Sequence, residues 1–338
     1  MPAASSATCP PTPCKMGKKL LLAAAGLGLA GLLLLTFLFW WSGGPGSARA
    51  QTITVEEGAT LTSLCPQLTR TGLVRNCTAF RGFARLLGSG GGIQAGEFEI
   101  PAGTSQSGVL EILQNGSPVQ RLVTIPEGMP SILVQEKLAA TPFLTGPAPL
   151  PGEGEVLPDS YSFQRGESRA AVAARMETAM DRAIAELWPK RKAGACPVST
   201  PQEAVTLASI VEKETAKPAE RRAVAGVYCN RLKIGMKLDA DPTVIYPVTR
   251  GRPLGRRIRQ SELRADTGYN TYRRPGLPVG PIANPGKASI AAVLDPEPHQ
   301  YIFFVADGTG GHIFARTYAE HRANVEKWFA IRRARGEM

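Results

Sequence analysis

The segment LASIVEKET, Leu207–Thr215, decides how the second half of this chain is read, because it sets an acid among apolar residues. On a helix each residue advances about 100°, so Leu207, Ile210, Val211 and Glu214 share one stripe. Ala204 and Ala208 widen that stripe, and Glu214 thus falls on the face that should meet a core or a cleft. Glu212 points to nearly the opposite side and Lys213 to the flank. A carboxyl with apolar neighbours resists ionisation, which moves its pKa toward the range of a general acid near neutral pH. The plainer alternative is that Glu214 turns to solvent at the helix end before Pro218. Upstream, Thr200-Pro201-Gln202-Glu203 has helix-start chemistry, with threonine as N-cap, proline at the first helical position and Glu203 at the capping-box position.

Outward from that helix, 338 residues suffice for two or three small domains. The formal charge of +11 favours anionic partners, yet the basic residues read as scattered. The aromatic content of 7% is low for a base-stacking surface, so no nucleic-acid partner is expected. Leu20–Trp41 is apolar apart from Thr36, long enough to span a bilayer, and preceded by Lys15, Lys18 and Lys19, with no acid before Glu56. This predicts a cytoplasmic tail at 1–19, a transmembrane helix at 20–41 with Trp40 and Trp41 at the far interface, and a linker at 42–51. Everything after the helix would lie outside the cytoplasmic membrane. A signal peptide cleaved near Ala48-Arg49-Ala50 is the rival, but its apolar core would be unusually long.

Cys9 and Cys14 fall in the cytoplasmic tail, whereas Cys65, Cys77, Cys196 and Cys229 face an oxidising compartment. Cys65 with Cys77 and Cys196 with Cys229 are the pairings to test first, with buried free thiols as the alternative. Their spacing fits no metal site, and the chain has three histidines. No metal or other cofactor is expected.

Patterning predicts a small α+β unit over 52–122, with strands at Thr52–Val55 and Glu97–Ile100 and helices at Thr60–Leu68, Cys77–Leu87 and Val109–Gln114. A strand at Leu122–Ile125 comes next, and the Pro/Gly-rich Thr141–Glu155 reads as a bridge within a connecting region at 123–199. Helices are expected at Ser168–Trp188, at Ala219–Leu232 and from Tyr318 to about Arg332. Asp239–Pro285 reads as a loop-built surface, and Tyr301–Val305 and Ile313–Ala315 as strands.

Five segments share tyrosines, asparagines, threonines and rigid turns suited to sugar faces and hydroxyls. They are LPDSYSF (Leu157–Phe163), LASIVEKET, DADPTVIYP (Asp239–Pro247), YNTYRRPGLPVGPIANPG (Tyr269–Gly286) and FFVADGTGGHIFARTYAEH (Phe303–His321). In order and in content these resemble the membrane-anchored endolytic murein transglycosylases of the YceG-like family. Leu157 stands where that family commonly has an aromatic residue. The unit at 52–122 resembles the family's LysM-like domain more loosely, and Cys65 and Cys77 depart from it.

The resemblance implies an α+β catalytic domain at 200–338 that cleaves the bond between N-acetylmuramic acid and N-acetylglucosamine within nascent glycan strands, leaving 1,6-anhydromuramyl ends and limiting strand elongation. It implies Glu214, the glutamate followed by threonine, as catalytic residue. Asp241, Thr243, Tyr246, Tyr269, Asn270, Thr271, Tyr272 and His312 become substrate-binding candidates by motif match. Asn230 and Arg231 either orient Glu214 or cap their helix. Asp307 and Glu320 read as solvated surface, and the GTGGH glycines lack a phosphate-loop ending. Implied partners are peptidoglycan glycan strands, the cytoplasmic membrane and peptidoglycan synthases. An idle wall-binding scaffold and a hydrolytic muramidase using the same glutamate are the alternative functions.

Overall fold

In the computed structural model, which describes residues 16–43, 47–87 and 91–337, the chain divides after Val119 into two units. Cys9, Cys14 and Lys15 of the expected tail and residues 44–46 of the linker lie outside the described residues, as do the side chains of Lys18, Lys19 and Trp40.

The first unit begins with α1 (Met16–Gly43), which covers the expected anchor segment. Leu22, Leu27, Leu32 and Leu35 are exposed on it. Its side chains are described without interruption only over 22–37, and among the described residues no helix is long and apolar enough to cross a membrane. Trp41, expected at a membrane interface, is instead buried against the rings of Phe80 and Phe83. α1 runs past the apolar stretch and carries the indole onto the next helices.

Strand β1 (Gln51–Val55) buries Ile53 and Val55 and exposes the intervening threonines. After it come α2 (Leu61–Arg70) and α3 (Cys77–Leu87), joined by the Cys65–Cys77 disulfide. The chain returns as β2 (Gly96–Ile100), antiparallel to β1 with Ile53 opposite Phe98, and α4 (Gln106–Asn115) closes the core. The Thr60 hydroxyl accepts from Ser63 N at 3.2 Å and starts α2.

In the second unit β3 (Arg121–Thr124) pairs antiparallel with β4 (Ser160–Phe163), Val123 facing Tyr161. The division therefore falls just before the expected boundary at 122, and β3 belongs to the second unit through its pairing with β4. Between the two strands lies α5 (Ser131–Ala140), and after them α6 (Arg169–Leu187), capped by Ser168. The expected bridge at Thr141–Glu155 lies within this unit, where Leu144 joins a core with Val134, Phe163 and Met176.

α7 (Pro201–Glu214) is the centre of the second unit. The Thr200 hydroxyl accepts from Glu203 N at 3.1 Å, while the Glu203 carboxylate reaches Ser199 N, one residue before the cap, at 2.6 Å. Every residue from Ala204 to Val211 is buried. The apolar stripe expected from spacing is thus a helix enclosed all round along its middle, and its first and last turns reach accessible space. Its neighbours are α8 (Arg221–Lys233) and α11 (Lys287–Leu294), which pack on it along with α6.

The loop-built surface expected over 239–285 contains two helices, α9 (Asp241–Thr249) and α10 (Gln260–Arg264). Pro242 at the first turn of α9 presets the backbone, and Asp241 suits a helix start. Prolines that read as turns in the sequence here frame a short helix. The C-terminal hairpin of β5 (Phe303–Ala306) and β6 (His312–Ala315) packs on α12 (Tyr318–Ala334).

A second disulfide, Cys196–Cys229, ties the loop before α7 to α8 across 33 residues of sequence. Replacing both cysteines by serine releases the unfolded chain from that closed loop, so stability falls by about 3–4 kcal/mol in chemical denaturation. An unchanged denaturation midpoint would show that the crosslink contributes nothing to stability.

Candidate active site

Glu214 is the last residue of α7, and Thr215 leaves the helix in an extended conformation with its side chain buried. The carboxyl sits among Tyr228 of α8, which hydrogen-bonds to it, the Arg231 guanidinium one turn further along α8, and Asp241 at the start of α9. Its pKa is pushed up to about 7. Burial is the main cause and the Asp241 charge adds to it, while the Tyr228 hydrogen bond and the Arg231 charge pull the other way. Burial also holds the Tyr228 hydroxyl well above the usual phenol range, so it stays a donor.

Glu212 has another task. Its carboxylate accepts from Arg221 at 3.3 Å and from Gly286 N at 3.0 Å, and its side chain is 5% exposed. It ties α7 to the start of α8 and to the turn before α11.

Of the motif-matched residues, Asp241 and Tyr272 gather at Glu214, with the Tyr272 hydroxyl donating to Asp241 at 2.6 Å. Thr243, Thr271 and Asn270 are buried within the fold. The two threonine hydroxyls bond each other at 2.9 Å, and Asn270 donates to the carbonyls of Glu262, Leu263 and Ala265. These three shape the loops behind the site. Tyr246 and Tyr269 lie ring to ring, 4.8 Å between centroids, and the Tyr246 hydroxyl donates to Glu153 at 3.1 Å. His312 is held by Glu220 at 2.8 Å and meets the edge of Phe304, whose ring rests on Tyr228. Arg231 donates to the carbonyls of Ile302 and Leu238, and Asn230 to those of His299 and Tyr301, so this pair anchors β5 and the α9 approach to α8.

Asp307 and Glu320, read as solvated surface, both organise backbone. Asp307 accepts from Thr309 N at 2.6 Å and Gly311 N at 2.9 Å, which holds its carboxyl down at about 2. Glu320 completes the capping box of α12.

Three residues of the site escape the sequence reading. Tyr228 gives one signal, its position three residues before Arg231 on the same helical face. Glu153 is a carboxyl raised by burial, accepting from Ser131 N at 2.9 Å as well as from Tyr246. Asn284 is fully buried and holds the loops at 129–131 and 152–156 together through both ends of its amide.

A cavity of about 470 Å³ opens beside these groups, walled by Met129, Lys213, Pro242, Tyr246, Arg252 and Ile282 among others. A second hollow of about 330 Å³ lies across Tyr246, with Glu153 and Arg250 in its wall. Glu214 lines neither, but Lys213 and Pro242, the sequence neighbours of Glu214 and Asp241, form part of the larger wall. Among the described residues no group of three histidine, cysteine or acidic side chains is placed to hold a metal ion.

Helices packed round a central helix that ends in a glutamate with a raised pKa, together with small antiparallel sheets, define an α+β protein. The chain belongs to the YceG-like family, whose profile matches residues 53–327. It is 39% identical over 126 residues to the endolytic murein transglycosylase of Bacillus subtilis, covering 37% of this chain and 34% of that protein. To the endolytic murein transglycosylase of Streptococcus pneumoniae serotype 2 it is 26% identical, covering 82% of this chain and 58% of that protein. The chain thus spans between about a third and three-fifths of the length of these curated relatives. A crystal structure of a YceG-like protein from Listeria monocytogenes shares the fold, with a TM-score of 0.52 at 24% identity over 82% of this chain and 99% of that one.

Tyr228→Phe removes a hydrogen bond that favours the charged form of Glu214, so the Glu214 pKa rises further above about 7. Carbon-detected NMR titration of the glutamate carboxyls reads this directly. A pKa that stays or falls contradicts the placement of the Tyr228 hydroxyl.

Proposed function

We propose that the chain is a membrane-anchored, endolytic peptidoglycan lytic transglycosylase that cleaves the bond between N-acetylmuramic acid and N-acetylglucosamine within nascent strands. The observation that carries this reading is the Glu214 carboxyl, which at a pKa of about 7 is close to half protonated at neutral pH.

Protonated Glu214 gives its proton to the glycosidic oxygen as the bond from the muramyl anomeric carbon breaks and positive charge develops on the sugar. The resulting carboxylate takes the proton of the muramyl C6 hydroxyl, whose oxygen closes onto the anomeric carbon. Glu214 ends as it began, no water is consumed, and the product carries a 1,6-anhydro ring. One acid suffices, because no second carboxylate must hold a nucleophile or activate water. Asp241 favours the protonated starting state, while Tyr228 and Arg231 favour the carboxylate formed after donation. Tyr246, Tyr269, Tyr272 and His312 remain proposed substrate contacts, and Thr243, Asn270 and Thr271 would act by shaping the surface.

The same proposal includes the anchor and the wall-binding unit. The apolar run within α1, the lysines before it and the two disulfides support a single-pass protein with a cytoplasmic N-terminus and an extracytoplasmic catalytic unit. Two strands enclosing two helices, β1-α2-α3-β2, support the LysM-like reading of the first unit. Peptidoglycan synthases are the proposed protein partners.

Digestion of purified peptidoglycan followed by mass spectrometry tests the chemistry. Internal cleavage with anhydro ends, one water lighter than reducing ends, is expected; reducing ends would indicate a hydrolase and no cleavage a scaffold. Glu214→Gln lowers the rate at least about a hundredfold, and undiminished cleavage by that variant rules the mechanism out. The rate of the unaltered protein falls as pH rises through about 7, where Glu214 loses its proton.

Stability moves with the same group. Between its unperturbed value of 4.5 and about 7 the folded state holds a proton that the unfolded state has released, so unfolding free energy declines as pH rises across that window. Glu214→Gln removes this decline and stabilises the protein above pH 7, by up to about 3 kcal/mol. Equal pH dependence in the two proteins, measured by urea unfolding, would rule out a raised Glu214 pKa.

A further inference from the structure

Residues 250–274 carry eight arginines against Glu262 and Asp266, a net charge of +6 in a chain whose total is +11. The positive charge, which looks scattered along the sequence as a whole, is therefore concentrated after α9. Three of these arginines are neutralised, Arg252 by Glu136, Arg256 by Glu262 and Arg274 by Asp266. Arg250, Arg257 and Arg273 are exposed and make no ion pair among the described residues.

The segment is part of the cavity wall. Gly251, Arg252, Pro253 and Leu254 line the 470 Å³ cavity that also meets Lys213, and Arg250 lines the hollow holding Glu153. Its base is fixed. Arg250 ends α9 in a left-handed conformation at φ 54, and Gly251 at φ 83 packs so tightly that a Cβ there would stand 2.6 Å from Pro130. Of the unpaired guanidinium groups, Arg250 thus stands in the wall of the second hollow, and Arg257 and Arg273 follow on the segment that continues from that fixed base.

We propose that this segment recognises carboxylates on peptide side chains borne by the glycan, selecting strands that carry such peptides over bare ones. The inference rests on the proposed glycan-cleaving function and names a determinant of its substrate class. Guanidinium forks match carboxylates in two-point geometry, and a cluster with unpaired charge attracts a polyanion before contact. The cavity wall that this segment shares with Lys213, the sequence neighbour of Glu214, favours an anionic group on the glycan substrate over a separate anionic lipid or nucleic acid. The affinity gained is salt-sensitive, because the side chains are exposed.

The test compares the full chain with the triple variant Arg250→Gln, Arg257→Gln, Arg273→Gln on two substrates, peptide-bearing glycan strands and the same strands stripped by an amidase. The unaltered protein should cleave peptide-bearing strands with roughly tenfold higher kcat/KM, mainly through KM, and the preference should shrink as salt is raised. In the triple variant the two values converge, while circular dichroism and thermal unfolding report an intact fold. Equal rates of the unaltered protein on both strands, or an undiminished preference in the triple variant, overturns the proposal while leaving the cleavage chemistry standing. Binding to anionic vesicles that the triple variant loses, without any change in strand preference, would assign the segment to a lipid surface and equally overturns it. Absence of anhydro products from either substrate would be a failure of the proposed function itself.

Discussion

The position of the half-buried Glu214 side chain at the end of α7 is the constraint around which the second unit is arranged. A carboxyl at a helix C-terminus in water would be ionised and weakly repelled by the helix dipole. Here the helix before it is buried on every side from Ala204 to Val211, so the chain must leave α7 inside the protein. Packing by α8 and α11 determines where the last turn ends, and α9 delivers Asp241 beside it. Ser209, one turn earlier and fully buried, accepts from Ile282 N at 3.0 Å and joins α7 to the Pro281–Pro285 segment.

Two opposed sets of interactions set the working range of that carboxyl. Burial and Asp241 keep the proton on, whereas Tyr228 and Arg231 stabilise the charge when it leaves. Either set alone would be poorly suited to the acid-then-base role proposed for Glu214. Burial alone would give a proton too tightly held to transfer, and the donors alone a carboxylate with no proton to give. Arg231 also commits its hydrogen bonds to the Ile302 and Leu238 carbonyls, so it offers Glu214 a charge from a fixed position. Positioning and electrostatics are thereby combined in one side chain.

The sequence is most legible where a short rule governs. Thr200 and Pro201 start α7 as expected, the two disulfides join the cysteines paired by position, and the strand and helix order of the first unit matches its patterning. Helical spacing singles out Glu214, yet α7 is enclosed all round, so spacing identifies the residue without describing its helix. α9 reads as loop because Pro242 and Pro247 resemble turn residues in isolation, and α5 and α11 give no expectation at all. Tyr228, Glu153 and Asn284 escape for a common reason. Each acts through partners distant in sequence, and one chain read locally holds no record of who those partners are.

Asn284 shows what such long-range partnership requires of a side chain. Its carbonyl oxygen accepts from Gly154 N and Val156 N, and its amide nitrogen donates to Met129 O and Ser131 Oγ. An aspartate could accept from the first pair but could not donate to the second, and would bury a charge beside Glu153. A leucine of similar size would leave the Gly154 and Val156 N–H groups without their acceptor. Only a side-chain amide satisfies both loops at once, and these loops carry the Met129 wall of the cavity and the Glu153 that holds Tyr246. The walls of both hollows therefore depend on an uncharged residue that lines neither of them.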